Sequence, residues 1–383
     1  MIYLVLILVN IAYCPGIIFE PPYKIITAIL FGAIGLFMVL NLKRNLLFAI
    51  SLYFSYALIA LIICSVIFIF TDVFIFDSTY NIYLATTCFL LGFLAPDHSD
   101  KFINRCFKVY ILAALFLGLY SVYKNLGAFT IVDQYVFSLK NSSGVLLATA
   151  IVLCMFVIVK CKITKGYIVW ASILLILFAC LLTFRSRACI IGVILCAFIF
   201  CAKQNLLGKM LCHPKFLFVG IIGFIIIYVY DLIPCDFIYS SLFENKDTSD
   251  ANDISSGRLA MFEKAMTIFR QDPLLANART GPQLQSVDNF VVNCLGRYGM
   301  FGALLMFPPY LFVWVVSLRG IWKEQVNNLY PYLALFLLCI ISLTEGSFPF
   351  GPGTPVVCAW FLLGWNWKKQ KIEHQVYQRI QNA

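Results

Sequence analysis

The chain has 383 residues, 62% of them hydrophobic and only 12% charged, with a formal net charge of +10. A mean hydropathy of +0.91 excludes a water-soluble domain of this length, because such a fold has no interior large enough to hide that much apolar surface. Nor does the positive charge point to nucleic acid, since the basic residues lie between the apolar runs rather than on a basic domain with a recognisable binding motif.

Taken in chain order, the apolar segments fall at about 1–19, 25–40, 46–70, 79–95, 107–123, 143–159, 167–184, 188–202, 215–233, 298–318, 329–344 and 353–367, which predicts an all-α integral membrane protein of about twelve transmembrane helices. Residues 1–19 have no basic leading region and no small-x-small site before Glu20, so they read as a first span rather than a signal peptide. Lys and Arg are retained on the cytoplasmic side of short loops. Lys43/Arg44, Lys101/Arg105/Lys108, Lys160/Lys162/Lys165, Lys203/Lys209/Lys215, Arg319/Lys323 and Lys368/Lys369/Lys371 all fall on one side if both termini are cytoplasmic. The opposite side receives Asp72/Asp77, Asp133, Glu345 and the one long connection, residues 234–297. The domain organisation that follows is a single polytopic membrane domain over 1–383 with one large outer loop between the ninth and tenth spans.

Most of the 15 cysteines lie in apolar runs or in the cytoplasm, where Cys acts as a small hydrophobe. Cys235 and Cys294 differ, because they stand at the two ends of the outer loop in an oxidising compartment; sequence separation leaves a bridge between them open.

The loop begins with a polar stretch, Glu244–Asp253, without hydrophobic periodicity. Its Asp247, Asp250 and Asp253 lack the spacing of a calcium loop, and no metal is expected. Residues Ser255–Arg270 carry Leu259, Phe262, Ala265/Met266 and Phe269 at helical spacing, which predicts an amphipathic helix with a Ser cap, ended by Asp272-Pro273. Arg258 lies in its first turn, the end of a helix that favours anions, so it either faces solvent or shares an anion with the helix terminus. Residues Ser286–Gly302 read as a helix leading into the tenth span. Its Asn289, Asn293 and Arg297 recur every fourth residue as a polar stripe at the membrane surface, and Gly296, Gly299 and Gly302 suit close helix approach. Asp288 at its start fits helix capping and chemistry equally well.

Between spans seven and eight, Leu182-Thr-Phe-Arg185-Ser-Arg187 places two arginines against the positive-inside bias, a costly arrangement near hydrocarbon unless they meet water or an anion. The outer face thus carries Arg185, Arg187, Arg258, Arg270, Arg279 and Arg297 with one candidate acid, Asp288. Arg forks bind phosphate oxygens bidentately and stabilise charge on a departing diphosphate, which suits a lipid-linked pyrophosphate. Glu345–Gly353, between the last two spans, reads as a short outer hairpin or as part of an acceptor site.

Lys140-Asn-Ser-Ser-Gly144, Phe184-Arg-Ser-Arg187, Ser256-Gly-Arg258 followed by Pro273-Leu-Leu275, and Asp288-Asn-Phe with Gly-Arg-Tyr-Gly-Met-Phe-Gly302 together resemble the O-antigen polymerases (Wzy type) and the related O-antigen ligases over about residues 140–365. The resemblance implies transfer of a glycan from an undecaprenyl-pyrophosphate carrier to an acceptor hydroxyl on the periplasmic face of a bacterial inner membrane, without cofactor or metal. By position, Arg187 and Arg258 would hold the diphosphate and Asp288 would act as base or orient the acceptor, with Arg185, Arg270, Arg279, Asn289 and Arg297 binding substrate. Nearby arginines weaken a carboxylate as a proton acceptor, so base and orienting roles both stay open. The expected partners are the lipid-linked repeat units and membrane lipid, with a chain-length regulator and a flippase implied by the family alone, and no nucleic acid. Ligases of the family place a His where Asp288 stands, and His98, His213 and His374 are all expected in cytoplasmic segments, which favours polymerase over ligase. A flippase for the same lipid-linked unit is the remaining alternative, though its spans should carry charge.

Overall fold

A computed structural model describes residues 2–15, 17, 25–26, 29, 32, 62–63, 65–66, 80–124, 140–161, 164–184, 186–205, 257–276, 287–351 and 354–381. Among these, all regular structure is helical: α1 (Ile2–Ile11), α2 (Tyr80–Phe93), α3 (Asp100–Lys124), α4 (Lys140–Lys160), α5 (Thr164–Thr183), α6 (Arg187–Lys203), α7 (Arg258–Gln271), α8 (Phe290–Lys323), α9 (Tyr330–Ser342) and α10 (Val357–Gln381), with single 3-10 turns at Val326–Asn328 and Thr354–Val356. In lipid a helix satisfies its own backbone, and polar side chains inside the apolar helices follow the same rule. Asn10 donates to the Leu6 carbonyl at 3.0 Å, and Thr86 and Thr87 donate to Ile82 and Tyr83 at 2.8 Å each.

Four helices of the described residues, α3, α4, α5 and α8, are long and apolar enough to cross a membrane; α1, α2 and α9 are shorter apolar helices. The predicted spans from 79–95 to 188–202 and from 298–318 to 353–367 coincide with helices, with three differences at their ends. Ser99 accepts a bond from the Phe102 amide at 3.2 Å, a helix cap that starts α3 at Asp100, ahead of the expected 107. α8 begins at Phe290, ahead of the expected 298 and within the helix expected over Ser286–Gly302. The last helix runs on past Trp367 to Gln381, with residues 371–378 exposed. The spans expected at 25–40, 46–70 and 215–233 lie largely or wholly outside the described residues.

α4 forms the centre of the bundle, with 83% of its apolar window buried against 17% for α5, whose Ile168, Val169 and Leu175 are exposed. The helices α2 and α10 touch backbone to backbone. A Cβ on Gly92 would stand 1.9 Å from the Phe361 carbonyl, and one on Gly364 1.9 Å from that of Phe89.

Contacts between helix ends give the bundle two ends of different chemistry. At one end Lys369 meets Asp100 at 2.7 Å, Lys203 donates to the Trp322 carbonyl at 2.8 Å, and Trp365 donates to the Asp97 carbonyl at 2.9 Å. This end gathers residues expected on the cytoplasmic side. The other end gathers the starts of α4, α6, α7 and α8 and the turn after α9.

α8 is broken at Gly299, whose φ of 64° lies in the left-handed region that favours glycine. A Cβ there would come 2.3 Å from the Leu274 carbonyl. The break frees the amides of Met300 and Phe301 to bond Pro273 and Leu274 at 2.9 and 3.3 Å, which fastens the chain after α7 onto α8. Ala265, Ile268, Ala276 and Val287 then form a small second core, with Met261, Phe262 and Val292 against it, separate from the bundle interior.

Candidate functional site

Arg258 is the first residue of α7. The cap position is Gly257 at φ 77°, without a side-chain cap bond, which corrects the expected Ser cap: the chain enters the helix through a left-handed glycine. Asp272 ends α7 as expected. From the start of α7 the guanidinium reaches two carboxylates on two other elements. Its Nε lies 3.0 Å from Asp288 Oδ2, and a terminal nitrogen lies 3.5 Å from Glu345 Oε1. The anion that a cation at a positive helix end calls for is thus supplied by the protein itself.

Glu345 is held from a further side. The Asn141 amide, in the first turn of α4, donates to Glu345 Oε1, and Asn141 Oδ1 accepts from the Ser186 hydroxyl at 3.2 Å. A chain of polar contacts therefore runs Ser186, Asn141, Glu345, Arg258, Asp288. Exposure is graded along it: the Glu345 side chain is 17% exposed, Arg258 29% and Asp288 43%.

The two asparagines that opened the expected polar stripe are engaged in placing Glu345. Asn289 caps α8 by accepting from the Val292 amide at 3.0 Å, and its own amide donates to the Leu343 carbonyl at 2.9 Å. Asn293 accepts from the Val287 amide at 3.0 Å and donates to the Gly346 carbonyl at 3.2 Å. The stripe thus faces the turn after α9. Asn289, not Asp288, is the cap, and Asp288 is left to reach Arg258. Gly346 sits so close that a Cβ would stand 2.1 Å from the Val287 carbonyl. Farther along the turn, the Trp360 indole donates to the Pro349 carbonyl at 2.9 Å.

Arg187 follows Ser186 and stands just outside the apolar stretch 188–202 of α6. Burial first, and then the like charge of Arg258, hold its guanidinium below its ordinary value. Two cations from different elements thus share one neighbourhood.

The remaining expected residues are placed elsewhere. Arg270 is exposed in the last turn of α7, roughly 18 Å of helix from Arg258. Arg297 is half-buried, with its guanidinium 5.1 Å from the Tyr298 ring centroid. Arg185, Arg279, Asp247, Asp250, Asp253, His213 and Cys235 lie outside the described residues. His98 stacks on Trp365 at the opposite end of the bundle, and His374 is exposed on the tail of α10. Cys294 is free and fully buried, with its sulfur 3.8 Å from that of Met306.

Asn141 and Ser186 lie in two of the motifs that carry the resemblance but were not named as site residues, and Glu345 entered only as the start of a turn read as an outer hairpin or part of an acceptor site. Glu345 was already assigned to the outer face, and its acid charge in an otherwise apolar and glycine-rich turn is the signal that could have marked it. Chemically, the arrangement can bind a dianionic group through two arginines and offers a carboxylate open to solvent for proton transfer or hydroxyl positioning. No family model matches the chain, and none of the curated proteins matches it significantly.

Proposed function

We propose that this chain is a polysaccharide polymerase of the O-antigen (Wzy) type, joining undecaprenyl-pyrophosphate-linked oligosaccharide repeat units on the periplasmic face of a bacterial inner membrane. The observation that carries the reading is the convergence of Arg187 and Arg258 with Asp288 at one end of an apolar helical bundle. Two arginines match the oxygens of a diphosphate and stabilise the charge it gains on departure. An apolar cavity of about 230 Å³ between α2, α8 and α10, lined by Ile82, Phe89, Phe312, Phe350 and Trp360 among others, supports a lipid-borne donor. Phe350 belongs to the same turn as Glu345, so the cavity reaches toward the charged cluster.

In this reading the chain crosses the membrane about twelve times with both termini cytoplasmic. A repeat unit offers its non-reducing-end hydroxyl to the anomeric carbon of a chain on a second carrier, and undecaprenyl pyrophosphate leaves. Arg187 and Arg258 hold the diphosphate, and Asp288 faces the acceptor. The described histidines stand at the far end of the bundle, which favours polymerase over ligase.

The test is complementation of the source strain lacking its own copy, with surface lipopolysaccharide resolved on a gel, using the intact chain beside Asp288→Asn and Arg258→Ala. The expected result is a ladder restored only by the intact chain, with all three proteins present in the membrane. Full-length polymer on the lipid carrier but none on the lipid A core in the deletion strain would make the protein a ligase and end the polymerase reading. Movement of a lipid-linked glycan across vesicles holding this protein alone would make it a flippase.

A further inference from the structure

Resting on that reading, a closer look at the two carboxylates around Arg258 separates their roles. Glu345 is the more buried and is retained by the Asn141 amide as well as by Arg258. Asp288 is the more exposed, is relieved of capping by Asn289, and meets Arg258 through Nε. The guanidinium carries five N–H donors, and Asp288 and Glu345 sit on two of them; a diphosphate that grips an edge bidentately competes there with whichever carboxylate is held less firmly.

We propose that Glu345 is the fixed counterion of Arg258 and Asp288 the exchangeable one: an arriving diphosphate takes Asp288's place on the guanidinium, and the released carboxylate accepts the proton of the acceptor hydroxyl. This removes the conflict between a base and its neighbouring cation. Once the diphosphate holds Arg258, Asp288 is parted from its cation and faces the acceptor hydroxyl. In the step itself the hydroxyl proton moves to Asp288, the hydroxyl oxygen bonds the anomeric carbon, and the carbon–oxygen bond to the diphosphate breaks. The polyprenyl diphosphate leaves with the electron pair, and Asp288 returns the proton to water. Glu345 acts through Arg258 and is a positioning residue.

The experiment measures binding of undecaprenyl pyrophosphate to the detergent-solubilised full chain, to Asp288→Asn and to Glu345→Gln, alongside chain growth in cells. Removing a competing half-exposed carboxylate is expected to tighten binding about threefold to tenfold in Asp288→Asn, while chain growth is lost. Glu345→Gln, which keeps an oxygen for Asn141 and Arg258, is expected to tighten binding less. Equal or greater tightening in Glu345→Gln would reduce the effect to a general change of charge and overturn the exchange. Unchanged or weaker binding by Asp288→Asn would overturn it too, as would tighter binding with normal chain growth. Failure of the unaltered chain to bind the lipid at all would instead strike the polymerase reading.

Discussion

Replacing Gly346 by Ala tests the placement of Glu345 without touching any charge. The added Cβ would stand 2.1 Å from the Val287 carbonyl and 3.0 Å from Asn293 Cγ, where an ordinary carbon–oxygen contact is about 3.3 Å or more, so the turn must retreat by roughly 1.2 Å. Val287 cannot give way easily. Its carbonyl holds the Asn289 amide at 2.8 Å and its amide is held by Asn293 at 3.0 Å. Overpacking of this size costs about 1–3 kcal/mol of stability. A displacement of about 1 Å at a reacting centre lowers the rate by about a hundredfold, and here it would carry Glu345 away from Arg258. The assays are the lipopolysaccharide ladder and thermal unfolding in detergent. Gly166→Ala serves as control, since its Cβ meets nothing nearer than the Cys161 sulfur at 3.7 Å, and it should leave both readouts intact. A Gly346→Ala protein that melts normally and builds full-length chains would refute the packing of the turn on Val287. One that melts early yet polymerises normally would refute the dependence of the chemistry on Glu345.

Asn289→Ala should cost about 1 kcal/mol for the lost cap and about another 1 kcal/mol for the bond to Leu343, seen as a lower melting temperature; an unchanged melting temperature would contradict both bonds. Intact mass should be the same with and without reductant as far as Cys294 is concerned, and a thiol reagent should leave Cys294 unlabelled until the protein unfolds; rapid labelling of the native protein would contradict its burial. His98 carries a pH prediction. Burial first, then the charge of Lys368, hold its imidazole below the ordinary 6.5, against the opposing pull of Asp97 and the Phe93 backbone. The folded protein therefore binds this proton less readily than the unfolded chain, so its contribution to stability is present above 6.5 and declines as the pH falls below that value toward the folded one. His98→Phe keeps a ring against Trp365 and should flatten the fall in melting temperature between about pH 7 and pH 5; an unchanged slope would assign the dependence to other groups.

How much of this was legible in the sequence depends on how local each signal is. Apolar runs are local, and α4, α5 and α6 begin and end within a few residues of the expected spans. The end of α7 was legible because Asp272-Pro273 stops a helix wherever it occurs, whereas its start was not, because the left-handed Gly257 gives no more warning than any other glycine. Arg187, Arg258 and Asp288 could be picked out as candidates by type and by the side of the membrane expected for them. Their pairing could not, since Asp288 meets Arg258 across thirty positions of the chain and Glu345 arrives from beyond two further helices. Asn289 and Asn293 were legible as a stripe, but a stripe does not say what it faces; here it grips backbone carbonyls of the turn after α9. Asn141 lay within a motif that carried the resemblance, but its role stayed hidden, for an amide near the start of an apolar helix looks the same whether it caps, solvates or anchors a carboxylate.

The small second core built by Ala265, Ile268, Ala276 and Val287 has a consequence for how such a protein can diversify. Because α7 rests on its own apolar cluster and is fastened to α8 through backbone bonds at Pro273 and Leu274, side chains on its outward face can be exchanged without repacking the bundle beneath. Arg258 and Asp288, at the rim of that cluster, would keep their register through such changes. Under the function proposed above, a lineage facing a new sugar could therefore rewrite the surface around the acceptor while inheriting the charged centre intact.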